Sequence, residues 1–227
     1  MEEIESKING LQEEYTCSSC GHKQVINIYP YINFNENPEY YEKVKSLEIF
    51  NVKCNQCHKE SSIMYNMLLI DQTQKYFIYL LPNKDDLKYF ENQVDYFMKK
   101  NFDKSKIPDY DQYKKRLVFN LNELIEKLSI FEYSLDDRAL ELLKGALIDD
   151  GYIKEKNVDI YFDRIDEVEL IFIYFIKLSK EIKDVKLSIS LYNAIIEKVK
   201  QIKNEDKFEI INIQWAKDLI KNIKKNK

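Results

Sequence analysis

The chain has 227 residues, of which 44% are hydrophobic, 13% aromatic and 33% charged, with a formal net charge of −4 at pH 7. This composition excludes disorder throughout, and no apolar run approaches the roughly 20 residues that a membrane-spanning helix needs. The negative charge gives no global attraction for a phosphate backbone. The N-terminal sequence MEEIESKING carries acids and no apolar signal region, so we expect a cytoplasmic protein.

All four cysteines lie in the first quarter of the chain, as the two pairs Cys17-Ser-Ser-Cys20 and Cys54-Asn-Gln-Cys57. A Cys-x-x-Cys turn aims two thiolates at one point, so two such turns can surround a zinc ion tetrahedrally. The alternatives are two disulfides, which a cytoplasmic compartment disfavours, or four inert buried thiols. The spacing predicts a structural Zn²⁺ held by Cys17, Cys20, Cys54 and Cys57.

Residues around the two cysteine turns predict a zinc ribbon. The predicted strands are Glu14 to Cys17, Gln24 to Tyr29, Ile49 to Cys54 and Ser61 to Leu68. His22 and His58 follow the turns closely, and we interpret them as turn residues or hydrogen-bond donors because four cysteines already complete the metal's coordination. The same saturation leaves no open position for a metal-bound water, so we expect no catalysis by this metal.

Residues 15–60, with MYNMLL and KYFIYLLP after them, resemble the CpXC-domain proteins, a bacterial and archaeal family named for paired Cys-Pro-x-Cys motifs. The resemblance is strongest over residues 14–82, and it implies the same four zinc ligands and little about activity. Both motifs lack the family's proline, having Ser18 and Asn55 instead. His58 stands where the family usually has glycine, which would ease a left-handed backbone.

The 33-residue spacer between the cysteine pairs is too long for a hairpin. Asn37-Pro38 and the residues after it predict a short helix up to Phe50, inserted into the ribbon. A strand is predicted at Tyr76 to Leu80. A helix follows from about Asp85 to Asn101, whose aromatic stripe is expected to pack on the ribbon sheet, although it could also bind a partner.

Residues 99–111 are polar and without helical period, which predicts a linker that a protease cuts first. Two domains are therefore expected, 1–106 and 107–227. The second domain is predicted to begin with a strand at 116–119 and two helices, capped by Asn120 and by Ser134. A hairpin of 158–162 and 168–176 follows, with its turn at 163–167. The last predicted elements are a strand near 182–185, a helix over 188–203, a strand at 208–213 and a helix from 214. The predicted fold class is α+β, a zinc ribbon with a helical insertion plus a C-terminal α+β unit.

Asp136-Asp137-Arg138 is the most enzyme-like cluster in the sequence. Acids at a helix start also suit the helix macrodipole, so we interpret these residues as a cap with an ion pair. The acids of the turn 163–167 lack the ligand pattern of a calcium loop and are read as a solvated turn. Trp215 is expected in the core or on a docking face, and the lysine-rich C-terminus as an exposed tail.

No glycine-rich phosphate loop is present, and a serine or cysteine nucleophile would have only two histidines to draw on. The sequence thus favours a non-catalytic zinc-binding protein that acts as a binding or adaptor module for a protein partner. One alternative is a nucleic-acid-binding zinc-ribbon protein, although residues 1–100 hold 11 Lys and Arg against 15 Asp and Glu. The other is an enzyme with a site around Asp136, Asp137 and Arg138. Partner identity and oligomeric state stay open.

Overall fold

The computed structural model describes residues 10–90, 92, 94, 109–202 and 207–225, and it confirms the α+β class. It divides into two compact units, of which the first ends at Leu121. The sequence places this boundary at 106–107. The first unit extends further because the strand predicted to open the second unit, observed at Lys114–Val118, pairs in parallel with Tyr76–Leu80. Residues 99–108 of the predicted linker lie outside the described residues.

The first unit contains two small antiparallel ribbons. Strand β1 (Leu11–Thr16) pairs with β2 (Lys23–Ile28), and β4 (Asn51–Lys53) pairs with β5 (Glu60–Ser62). Most side chains of β1 and β5 are exposed, so these ribbons enclose little apolar core of their own. Each ribbon is closed by one of the two Cys-x-x-Cys turns.

The core of the first unit is a four-stranded sheet in the order β3 (Tyr31–Asn33), β6 (Met67–Asp71), β7 (Tyr76–Leu80) and β8 (Lys114–Val118). The outer pairs are parallel and the central pair is antiparallel. All five residues of β7 are buried, as the apolar sequence YFIYL predicts. The prediction of one strand over Ser61 to Leu68 is wrong, because the ribbon ladder stops at Ser62 and Met67 begins a strand of this other sheet.

The helical insertion is confirmed as α1 (Glu39–Lys45), with Pro38 at its N-cap. It ends before Phe50, because Leu47 has a left-handed φ of 63° that a helix does not accommodate. A 3₁₀ turn at Glu48–Phe50 then leads into β4.

The predicted helix from Asp85 is only partly within the described residues. A 3₁₀ turn at Lys84–Asp86, capped by the Asn83 side chain, precedes helical residues 87–90, 92 and 94. The buried rings of Phe90 and Tyr79 meet edge to face, 5.0 Å between centroids, so this segment packs on β7. The remainder of the predicted helix lies outside the described residues.

The second unit combines helices with a three-stranded antiparallel sheet in the order β11-β10-β9. Its elements are α2 (Leu121–Glu132), α3 (Asp137–Asp149), β9 (Val158–Asp166), β10 (Glu169–Ile176), β11 (Glu181–Ser188), α4 (Ile189–Val199) and α5 (Ile213–Lys225). Gly151, with φ 76°, follows the C-cap residue Asp150 and ends α3. In the described part of the chain, no helix combines the length and the apolar character needed to cross a membrane.

Three local predictions in the second unit are wrong. The hairpin turn is only Glu167 and Val168, because the strands continue on both sides of it and a bulge in the ladder opposite Ile171 absorbs one residue. The cap of α3 is Asp136 and not Ser134, which has a left-handed φ of 55°. Over residues 208–213 only an isolated bridge forms, at Glu209, and the Ile211 carbonyl accepts a hydrogen bond from the Lys127 side chain, 2.7 Å away.

Candidate metal centre

The two Cys-x-x-Cys turns, residues 17–22 (the first knuckle) and 54–59 (the second knuckle), have the same backbone geometry. In each, the first cysteine N–H donates to the carbonyl five residues on, and its carbonyl accepts from the N–H four residues on. That fourth residue has a positive φ in both turns, 73° at Gly21 and 58° at His58. The left-handed backbone inferred for the glycine position is thus present, and His58 adopts it at a conformational cost that glycine does not have.

The four cysteine sulfurs converge on one point between the knuckles. Their Sγ atoms lie within 4.8 Å of one another. The two contacts between knuckles, Cys17 to Cys57 and Cys20 to Cys54, are both 3.7 Å long. A tetrahedral zinc ion with Zn–S bonds of about 2.3 Å requires sulfurs about 3.8 Å apart, whereas a disulfide requires about 2.05 Å. The four thiols therefore fit a tetrahedral metal ion and not two disulfides.

Backbone N–H groups lower the pKa of the two buried thiols, Cys17 and Cys54, and so favour the ionised form that binds a cation. The N–H groups of Ser19 and Cys20 lower the pKa of Cys17 to about 6, and the N–H of Cys57 lowers the pKa of Cys54. At Cys20 the His22 N–H acts in the same direction, but desolvation and the other thiols outweigh it and raise the pKa to about 12. Four sulfurs this close do not all ionise alone, and a bound divalent cation would stabilise the full set of thiolates.

The side-chain amide of Gln24 joins strand β2, which follows the first knuckle, to the backbone around Cys54. The Gln24 Nε2 donates to the Lys53 carbonyl at 3.0 Å, and the Asn55 N–H donates to the Gln24 Oε1 at 2.8 Å. One side chain on β2 thus fixes the backbone on both sides of Cys54. Sequence reasoning missed this residue, because a lone glutamine in a strand carries no signal of a partner 31 positions away.

The structure brings neither histidine into the sulfur cluster. Among the described residues, the group that could hold a metal consists of the four cysteines alone. His22 instead accepts the Cys17 N–H through its backbone carbonyl at 2.9 Å, and His58 donates its N–H to the Cys54 carbonyl at 2.9 Å. Both histidines are turn residues, as the sequence indicates.

The enzyme-like cluster of the second unit is buried and internally paired. Asp136 caps α3 by accepting the Arg138 N–H, and it also binds the Arg138 guanidinium at 2.7 and 3.0 Å. The guanidinium further donates to the Ile202 carbonyl at 2.6 Å. Asp137 is 0% exposed and forms an ion pair with Lys127 at 3.0 Å. Capping and ion pairing are confirmed for these residues, which leaves them little freedom to act on a substrate.

Asp137 belongs to a larger buried set of charges, the ion network, formed by Glu126, Lys127, Asp137, Glu141 and Lys144. The ammonium of Lys144 lies 2.9 Å from Glu126 and 2.8 Å from Glu141, and Lys127 lies 3.4 Å from Glu141. Burial alone would lower the pKa of Lys144, but the two carboxylates raise it above its usual range. Burial raises the pKa of Glu141 against the pull of both lysines.

Trp215 is half-buried on α5 and lines an open pocket of about 420 Å³. Asn212, Gln214 and Asp218 also line it. Asn212 caps the helix there, accepting the N–H groups of Gln214 and Trp215 at 3.0 Å. These three polar side chains act in helix capping and within α5, where Gln214 also donates to Asp218.

A family model described as CpXC protein matches residues 15–144 of the chain. The match covers more than half of the chain, including both knuckles, the four-stranded sheet and the ion network. Searches among curated proteins and among solved structures find no match. The order of the two knuckles, the converging cysteines and the extent of the match together show that this chain belongs to the CpXC protein family.

Proposed function

We propose that Cys17, Cys20, Cys54 and Cys57 hold one structural Zn²⁺ and that the protein acts as a non-catalytic binding or adaptor module. The observation that carries the metal assignment is the pair of 3.7 Å sulfur contacts between knuckles, which matches a tetrahedral four-thiolate site. A set of four soft thiolates favours Zn²⁺, with iron as the competing ion.

A structural role follows from the coordination and from the size of the ribbons. Four protein ligands leave no position open for a substrate or an activated water. The strands that carry the cysteines are six and three residues long, and side chains such as Leu11 and Val25 are more than half exposed. A metal ion replaces the core that these ribbons lack, as in other small metal-stabilised modules.

A binding role is supported by what the ribbon presents to solvent. Val25, which is 64% exposed, lies opposite the exposed Glu14 in the β1–β2 ladder. This face mixes apolar and acidic side chains, which suits a protein partner better than a phosphate backbone. Two lysines near the knuckles already face acids, since Lys23 lies 2.8 Å from Glu14 and Lys53 lies 4.0 Å from Glu60.

Elemental analysis tests the metal assignment directly. Protein purified without added metal is expected to contain one zinc per chain and no iron. Replacement of the zinc by Co²⁺ should give the visible and near-ultraviolet absorption of a tetrahedral cobalt thiolate site. Protein that contains iron, or that folds fully without metal after dialysis against a chelator, would contradict the proposal.

A titration against nucleic acid tests the binding role. We expect DNA and RNA to bind only weakly and non-specifically at about 0.15 M salt, with dissociation constants on the order of 10⁻⁴ to 10⁻⁶ M, measured by fluorescence anisotropy. Tighter binding that is lost on mutating Lys23, Lys53 or Lys59 would replace the adaptor role by nucleic-acid recognition. Binding lost only on removing residues 221–227 would leave the adaptor role intact.

A further inference from the structure

Strand β11 is an edge of the three-stranded sheet, and in the described part of the chain only β10 pairs with it. Apolar side chains lie beside this edge on the outer face of the sheet. Ile182 is 69% exposed and lies opposite Phe175, which is 37% exposed. Ile173, two residues from Phe175, extends the same face. An exposed edge next to an apolar patch is a template for pairing with another strand.

The charges along residues 180–184, Lys-Glu-Ile-Lys-Asp, are antisymmetric about Ile182. Two antiparallel strands related by a two-fold axis through Ile182 would place Glu181 opposite Lys183 of the second copy, and would bring Lys180, the turn residue just before β11, close to Asp184. Each contact occurs twice because the axis repeats it. Four attractive pairs then flank one contact between the two Ile182 side chains.

We propose that β11 binds β11 of a second copy of this chain, antiparallel and centred on Ile182. The two sheets then form one continuous six-stranded sheet. Ile182 of each copy packs on the other, and Phe175, its neighbour on β10, flanks the contact from both sides. This surface is in the second unit and is independent of the metal site, so the proposal goes beyond the function proposed above.

Neighbouring registers are less favourable. Facing side chains must lie on the same side of the sheet, so the two-fold axis must pass through a residue. An axis through Lys183, Asp184 or Lys186 would place two like charges directly opposite each other, which destabilises a strand pair. An axis through Val185 keeps only the pairs between Asp184 and Lys186.

Lys180 and Asp184 are the most useful positions for a test. Both are exposed, and among the described residues neither forms an ion pair within its own chain. Lys183, in contrast, already binds Glu155 at 2.7 Å, so a change there would also alter the monomer. Lys180 has a left-handed φ of 58°, a conformation that aspartate tolerates.

Sedimentation equilibrium of the full chain from about 1 μM to about 1 mM should show a reversible monomer–dimer equilibrium. Asp184→Lys and Lys180→Asp each create two like-charge contacts at the interface, and each should raise the dissociation constant about tenfold or more. The double variant Lys180→Asp/Asp184→Lys exchanges the partners and should return the constant to near its original value. Ile182→Asp places two carboxylates on the axis and should abolish the dimer.

Glu167→Lys is the matched control, since it makes the same charge change at an exposed turn at the opposite end of the sheet. It should leave the dissociation constant unchanged, and circular dichroism should show that every variant is folded. A protein that stays monomeric over the whole range would overturn the proposal, because the charges of β11 would then serve to prevent edge pairing. A dimer that is insensitive to Asp184→Lys and Ile182→Asp, or a double variant that does not recover, would also overturn it.

Discussion

The two units of this protein stabilise their ionisable side chains in opposite ways. In the first unit, four thiols converge at the tips of two thin ribbons, and Cys20 and Cys57 are exposed to solvent. In the second, the ion network is buried between packed helices, with every member below 5% exposed. The first arrangement needs an external cation to neutralise it, whereas the second carries its own cations. A metal bound at the cysteines would compensate for a missing core, whereas buried ion pairs depend on a core that is already present.

Loss of one metal ligand should have the largest effect of any single substitution. Zinc binding in small modules contributes roughly 10–16 kcal/mol at neutral pH, so Cys54→Ser should lose most of its zinc and unfold both ribbons. Elemental analysis and near-ultraviolet circular dichroism would measure this. Ser18→Ala, an exposed position in the first knuckle that is not a ligand, is the control and should keep its zinc.

The same variant tests whether the two units fold separately. Trp215 is the only tryptophan in the chain and lies in the second unit, so its fluorescence reports on that unit alone. We expect the denaturation midpoint followed by Trp215 to be the same in Cys54→Ser as in the natural protein. If the second unit melts together with the ribbons, the two units share one core.

Breaking the ion network should have the second-largest effect, confined to the second unit. Lys144→Met removes the ammonium that neutralises Glu126 and Glu141, and uncompensated buried charge costs about 3–5 kcal/mol. Chemical denaturation followed by Trp215 fluorescence would show the loss, with zinc content unchanged. Lys154→Met, at an exposed position, is the matched control, and equal stability of the two variants would show that the network contributes nothing.

Removing the Gln24 bridge should have a smaller effect, limited to the metal centre. Gln24→Ala deletes two hydrogen bonds to the backbone on either side of Cys54 and should cost about 1–2 kcal/mol of ribbon stability. The measurable consequence is faster zinc release to a chelator, since the knuckles separate more easily. Gln12→Ala on β1 is the control. Equal release rates for the two variants would mean that the cysteines alone position the knuckles.

The smallest expected effect is a gain in stability at the second knuckle. His58→Gly relieves a side chain from a φ of 58° and should stabilise the metal-bound ribbon by about 0.5–1 kcal/mol. Gly21→Ala makes the reverse change in the first knuckle, where no heavy atom beyond the adjacent residues lies within 4 Å of the added Cβ, so only backbone strain acts. The midpoint of thermal denaturation should rise for His58→Gly and fall for Gly21→Ala. A shift of both midpoints in the same direction would refute the equivalence of the knuckles.

Local patterns predicted much of the fold. The spacing of the cysteines and the apolar run of β7 each act within a few positions of the chain, and the structure confirms the cysteine cluster and the strand that they predict. It also confirms the helix predicted after Asn120, which begins at Leu121. Predictions failed where a distant partner decided the conformation. The segment around Ile211 is the clearest case, since the Ile211 carbonyl binds Lys127, 84 positions away, and only an isolated bridge forms in place of the predicted strand.

The sequence by itself determined most of the elements and the residues that could hold a metal, because hydrophobic period, turn residues and paired cysteines are short-range properties. Only the tertiary structure decided that β8 joins the sheet of the first unit, that Gln24 binds the second knuckle, and that the charges of α2 and α3 are buried together. Those outcomes depend on which surfaces meet after the chain folds. A polar side chain looks the same in the sequence whether it faces water or a partner in the core.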